Sequence, residues 1–323
     1  MKQISKSIFI LIGLLITTSG FAWSYSGHVL VAQIAYDNLS ISQQKKVDGL
    51  AMQIFAQLPP KEQAQLNAHY PTASTFAKDA MLPDMWRNWK LATLFKKYQA
   101  PLPTTLIPYQ SQSTATWHYR DTPYPSNTSC QLTSKNQNVV QAIQLLSPLF
   151  KQSLQSVEQA QTMSLQAMYR NQAAILLILL THYVGDIHQP LHTFGKLTQG
   201  CQTDEGGNNF CLNENAKGKC TQNLHALWDK GAGYLKPKMN IADSAHQLEM
   251  RYPRSSFSSE QIAVFSPEKW AKTNLGYAAF IYSAAPYQKP TPQYYQQGQV
   301  IANTQIVLAG YRLAYIIQSF LPG

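Results

Sequence analysis

Between Ala173 and His192 the chain reads A-A-I-L-L-I-L-L-T-H-Y-V-G-D-I-H-Q-P-L-H, eight apolar residues followed at once by His182, Asp186, His188 and His192. A run this apolar has to be buried, and it carries the polar residues in with it. A helix returns to the same face every 3.6 residues, so His182 and Asp186, at i and i+4, project side by side. Pro190 lacks an N–H and its ring clashes with the preceding turn, so the chain bends near it and His192 approaches from another direction. Burying such groups unpaired costs on the order of 1 to 3 kcal/mol each. Two ligands from a rigid helix and a third from past a bend suit the binding of two different ions.

The N-terminus places this chemistry outside the cytosol. Lys2 and Lys6 precede the apolar run Ile8 to Ile16, and Gly20-Phe21-Ala22 supplies small residues at cleavage positions, so residues 1–22 read as a secretory signal peptide. The run is too short for a good membrane span, and no stable membrane association is expected. Cleavage after Ala22 would leave Trp23 as the first mature residue, with residues 23–323 as one domain. Export to the periplasm or beyond the cell suits the four cysteines, Cys130, Cys201, Cys211 and Cys220, which fit two disulfides in any of three pairings. The formal net charge is +10, two of which come from Lys2 and Lys6. A basic secreted chain suits an anionic substrate such as nucleic acid or a lipid surface.

Helical patterning dominates. It predicts helices over Ser26–Asn38, Ser42–Gln57 (ended by Pro59-Pro60), and Ala73–Trp86 with an interruption at Pro83. Trp89–Thr116, with three prolines, reads as a surface excursion, and Trp117–Asp121 as a short extended piece. Further helices are expected over Val139–Phe150, Leu154–Asp186, Leu224–Ala232, Ile241–Tyr252, Ser259–Ala284 and Tyr294–Phe320. The one β signal is a hairpin with arms Asn209–Leu212 and Lys219–Gln222. The class is therefore all-α, a mainly helical domain with one small hairpin. Asn38 and Asn127 stand in glycosylation sequons.

His225 and Asp229 form a second i, i+4 pair. With His28, His118, His182, His192, Asp84 and Asp186 they make a set of imidazole and carboxylate ligands without thiolate, the chemistry of catalytic rather than structural zinc. The pieces that carry these residues are Trp23 with Gly27-His28, Pro83-Asp84-Met85-Trp86-Arg87, Trp117-His118-Tyr119-Arg120-Asp121, His182 to His192, Gly206-Gly207-Asn208, Asn223 to Asp229, and Ala309-Gly310-Tyr311-Arg312-Leu313-Ala314. In this set and order the chain resembles the S-one/P-one family of zinc-dependent nucleases, which degrade single-stranded DNA and RNA and remove 3'-phosphates.

The resemblance implies a mainly helical fold with three zinc ions in a cleft. One ion would be held by Asp84, His118, His182 and Asp186. A second would take the backbone amine and carbonyl of Trp23, His28 and the shared Asp186; a third would take His192, His225 and Asp229. Asp79 competes with Asp84, but only Asp84 has a basic residue, Arg87, three positions later. Asp84 would orient the nucleophile and Arg87 would contact a substrate phosphate. Tyr119 would stack on the base beside the scissile bond, with Asp121 and Asn208 holding its edge. His188 is no family ligand and is expected to sit behind the site, while His69 and His246 default to the surface. The expected activity is hydrolysis of single-stranded nucleic acid to 5'-mononucleotides, with 3'-nucleotides as further substrates, by a monomer. Rival readings are a zinc-dependent phospholipase C, which shares the fold type and N-terminal Trp, and a non-catalytic basic nucleic-acid-binding protein.

Overall fold

The computed structural model describes residues 23–126, 130 and 137–323. The expected signal peptide and the Asn127 sequon lie outside the described residues. The organising element is α8 (Met163–Asp186), buried on every side from Gln172 to its end. Around it pack α1 (Tyr25–Asp37), α2 (Ile41–Phe55), α7 (Val139–Gln159) and α14 (Pro292–Phe320). Burial of each large apolar side chain of α8 contributes roughly 1.5–3 kcal/mol, and this anchors the polar end of the helix. The helices start where side chains satisfy their free N–H groups. Ser40 with Gln43 and Asn138 with Gln141 form capping boxes for α2 and α7, and Thr162 caps α8. Helix α14 crosses α1 closely at Gly310, where a Cβ would lie 2.5 Å from Cγ2 of Ile34. By length and composition alone α14 could cross a membrane, but most of it is buried within the fold.

The mainly helical class holds, with local departures. Pro60 opens a helix, α3 (Pro60–His69), rather than merely closing the one before it, because a proline is well placed at the first helical position. The expected helix over Ala73–Trp86 divides into α4 (Thr75–Asp79) and α5 (Leu82–Trp86), and the break falls at Ala80-Met81, with Pro83 in the first turn of α5. The 89–116 segment is not a surface excursion throughout. It contains α6 (Leu91–Lys97), whose Leu91, Leu94 and Phe95 are buried, as is Leu106; its apolar residues override its prolines. The expected long helix at 259–284 is broken into α11 (Ser259–Ala263), α12 (Pro267–Asn274) and α13 (Ala278–Ile281), with Ser266 capping α12 and Pro267 in its first turn. Helices α9 (Leu224–Asp229) and α10 (Ile241–Arg251) precede them.

Two small strand pairs complete the fold. The expected hairpin is β3 (Cys211–Glu214) with β4 (Cys220–Asn223). Unanticipated is a parallel pair, β1 (Thr122–Tyr124) with β2 (Phe194–Lys196). The Trp117–Asp121 piece is not extended throughout, since Ala115–His118 is a turn of 3-10 helix that leads into β1. Of the three possible disulfide pairings the fold contains Cys130–Cys201 and Cys211–Cys220, the second stapling the hairpin. The side-chain amide of Asn38 is engaged, donating to Ile34 O at 2.8 Å and to Glu249 Oε1 at 2.6 Å.

Candidate metal centre

The buried end of α8 presents His182 and Asp186 together, with Nε2 of the first 3.2 Å from Oδ2 of the second. His182 Nδ1 donates to Ala80 O at 2.7 Å, which turns Nε2 toward the carboxylates. Gly185 between them has no side chain for a steric reason. A Cβ there would lie 2.8 Å from Nδ1 of His28, and its absence lets the His28 ring from α1 stack on His182 with centroids 3.8 Å apart. His118, at the end of its 3-10 turn, brings Nδ1 to 3.0 Å from Asp186 Oδ2 and 3.0 Å from His182 Nε2. Asp84 in α5 places Oδ1 3.7 Å from His182 Nε2 and 3.8 Å from His118 Nδ1. Asp186 Oδ1 faces the other way, 3.4 Å from His28 Nε2 and 3.5 Å from His192 Nδ1.

Past the bend at Pro190, His192 closes a turn of 3-10 helix and donates through Nδ1 to His118 O at 2.8 Å. The parallel strand pair follows directly, and Arg120 N donates to His192 O at 2.7 Å; pairing β1 with β2 thus brings the His118 and His192 segments together. From α9, His225 and Asp229 project from one face, as their spacing requires. Asp229 Oδ1 lies 3.6 Å from His225 Nε2 and 3.7 Å from His192 Nε2. His225 Nδ1 donates to Gly206 O at 2.8 Å. Gly206 has φ +62°, and a Cβ would lie 2.3 Å from Leu191 O, so no other residue fits there.

These residues form three ligand groups among the described residues: His28, Asp84 and His182; His118, His182 and Asp186; and His192, His225 and Asp229. All are buried. Burial raises the carboxyl of Asp84 to about 7, of Asp186 to about 8 and of Asp229 to about 7, outweighing the pull of Arg87 and Lys230 nearby. It likewise pushes all five imidazoles down. Both oxygens of Asp84 and Asp186, and Nε2 of His28, His118 and His192, have no hydrogen-bond partner among the described residues. Carboxylate and imidazole lone pairs converging with few donors among them fit a divalent cation, which would return the carboxylates to their charged form. The donor spacings of 3.0–3.8 Å bracket the roughly 3.4 Å edge of a tetrahedron with 2.0–2.1 Å bonds.

Trp23 is fully buried, with its side chain close beside Gly27, and Ser24 N donates to Asp229 O at 2.7 Å; the start of the described chain is thereby tied to the third group. Asp79 is also fully buried but belongs to none of the groups, and its carboxyl is pushed up by burial without a hydrogen-bond partner among the described residues. His69 and His246 are exposed. His188 has both ring nitrogens engaged away from the ligands, by Val184 O and Arg312.

The centre opens into a cleft of about 890 Å³ lined by Arg87, His118, Tyr119, Asp121, Asn208 and Lys230, among others. Tyr119 is 40 % exposed, so its ring is a wall of the cleft rather than part of the core. Burial raises the carboxyl of Asp121. Asn208 borders the cleft, but its side-chain amide donates to Glu205 O at 2.9 Å. The sequence reading passed over Gln189, whose Nε2 donates to Asp229 Oδ1 at 2.8 Å while its Oε1 accepts from Leu191 N. Its place between His188 and Pro190 was the available signal. It also gave Gly206 no individual role, although the carbonyl of that residue orients a ligand.

A buried array of histidines and aspartates in a mainly helical fold offers three groups that could hold metal ions, and the sequence places the chain in a known class. The profile of the S1/P1 Nuclease family matches residues 23–322, and the chain belongs to that family. It is 25 % identical to Endonuclease 1 of Arabidopsis thaliana over 336 aligned positions, covering 97 % of this chain and 92 % of that protein. It is 31 % identical to Endonuclease 4 of the same plant over 126 positions, covering 38 % of this chain and 37 % of that one.

Proposed function

We propose that this chain is an exported nuclease with three zinc ions that hydrolyses single-stranded DNA and RNA to 5'-mononucleotides and removes 3'-phosphates from nucleotides. The observation that carries the reading is the orientation of the imidazoles. His182, His192 and His225 each donate Nδ1–H to a backbone carbonyl, which fixes the tautomer and aims Nε2 at buried carboxylates, as at metal sites. The absence of thiolate and the oxygen and nitrogen donors favour zinc in a hydrolytic role. His118, His182, Asp84 and Asp186 would hold one ion, Trp23, His28 and Asp186 a second, and His192, His225 and Asp229 the third. Bound zinc supplies a nucleophile at neutral pH, by lowering the pKa of water toward about 7, and offsets charge on phosphorus and the leaving oxygen.

The remaining steps belong to side chains. Asp84, facing the ligand group from α5, orients the attacking oxygen. Arg87 and Lys230, which line the cleft, hold the scissile phosphate, the planar guanidinium pairing with two of its oxygens. Tyr119 offers an exposed ring for a base to stack on, worth about 1–3 kcal/mol for any base. Asp121, whose carboxyl burial pushes up, meets the base edge, with Asn208 also lining the cleft. Single strands are preferred because an unpaired base reaches the ring without the cost of leaving a duplex.

Incubation of the chain beginning at Trp23 with single-stranded DNA, and separately with phosphatidylcholine, each with and without chelator, tests the reading. Chelator-sensitive release of 5'-mononucleotides and no lipid hydrolysis are expected. Nuclease activity that persists without metal would sink the proposal, and hydrolysis of lipid alone would select the phospholipase.

A further inference from the structure

Arg312, in the Ala309–Ala314 segment, and His188, in the bend after α8, contact neither the cleft nor the ligand groups. Both are buried. Arg312 Nη1 donates to His188 Nε2 at 2.7 Å, its Nε donates to Gln261 O at 2.7 Å, and its guanidinium lies over the Trp270 ring, 4.9 Å from the centroid. No carboxylate pairs with it among the described residues. Burying a guanidinium without a counter-charge is costly, so its directed donors are what the site uses. His188 Nδ1 in turn lies 2.6 Å from Val184 O. The guanidinium can only donate, so Nε2 accepts and the proton sits on Nδ1. The ring is a fixed spacer between the last turn of α8 and α14.

What the spacer braces is the bend from Ile187 to Gln189. Asn274 of α12 secures the same bend, donating to Ile187 O at 2.8 Å and Thr193 Oγ1 at 3.1 Å. On its inner side the bend delivers Gln189 to Asp229 Oδ1 and leads into the turn that carries His192. His182 and Asp186 need no such brace, because the continuous helix α8 holds them. Resting on the three-ion reading above, we infer that Arg312 and His188 are positioning residues that set metal affinity at the His192–His225–Asp229 group and not at the other two.

The test is zinc titration of the metal-free protein against a chromophoric chelator, with far-ultraviolet circular dichroism and melting to verify folding. Arg312→Met and His188→Leu should each weaken one of three zinc equivalents by about 10- to 100-fold, the range for residues that orient ligands, and leave two unchanged. The double variant should be no weaker than the worse single, because both act through one contact. His188→Asn retains a donor to Val184 but is too short to reach Arg312, and should show the same selective loss in a gentler background. Folded variants that bind all three equivalents as the wild type does, with only a lower melting temperature, would overturn the inference, as would equal weakening at all three. A wild-type protein that binds fewer than three ions contradicts the metal reading itself, and the inference with it.

Discussion

Asp186 lies within 3.0–3.5 Å of four histidines, His28, His118, His182 and His192, and no other carboxylate at the centre meets as many. Asp186→Asn should therefore be the most damaging single change in the centre, lowering zinc content from three ions per chain toward one and nuclease activity by more than about 100-fold, beyond the range for outer-shell partners. Near-normal zinc content by elemental analysis would contradict the assignment. The same burial dictates how the metal-free protein responds to pH. Above about 7.5 the imidazoles, lowered in the fold and titrating near 6.5 in the unfolded chain, are neutral in both states and drop out. The carboxyls of Asp84, Asp186 and Asp229, raised to about 7, 8 and 7, retain protons that the unfolded chain has lost. Folding stability then falls as pH rises from about 7.5 to 8.5. Thermal melts of chelated protein should shift downward over that window, and zinc should raise the melting temperature more at pH 8.5 than at pH 7.5; a flat profile for chelated protein would refute this.

Elements act here through how closely they approach one another. Gly185 lets α1 bring His28 over α8, and Gly185→Ala places a Cβ 2.8 Å from the ring. Loss of zinc affinity with little change in helix content is expected from that variant, measured by titration and circular dichroism. Gly310→Ala, at the α1–α14 crossing, should instead destabilise the fold by about 1–3 kcal/mol through overpacking, read by denaturant unfolding. The residue types at these sites were visible in the sequence, and so was their i, i+4 pairing, because helical period alone sets side chains 182 and 186, or 225 and 229, on one face. The short apolar alternations of β1 and β2 were not legible. Three-residue strands have no period to read, and their pairing depends on His118 and His192 meeting in space. The break at Ala80-Met81 was missed for a related reason, since no proline or glycine marks it. Only the fold shows that Ala80 O is needed by His182. Likewise Asp79 and Asp84 differ little as letters; Arg87 three positions on favours Asp84, and the paths of α4 and α5 place that carboxylate among histidines and leave Asp79 meeting none.

At the scale of the molecule, a basic chain is wrapped around a buried centre of carboxylates and imidazoles that, on the proposed reading, cations would complete. The proposed export signal and the site are chemically linked. The α-amine of Trp23 exists only after cleavage behind Ala22, so a protein with extra residues before Trp23 should bind one zinc fewer than a chain that begins there; equal zinc content would detach the N-terminus from the centre. The central claim is that phosphodiester hydrolysis requires a full set of three ions held by these histidines and aspartates. Its most direct test is stepwise addition of zinc to metal-free protein beginning at Trp23, with hydrolysis of single-stranded DNA measured at each step. Activity absent without zinc and reaching its plateau at three equivalents per chain is the predicted result. Activity in the metal-free protein, or a plateau at one equivalent, would contradict it.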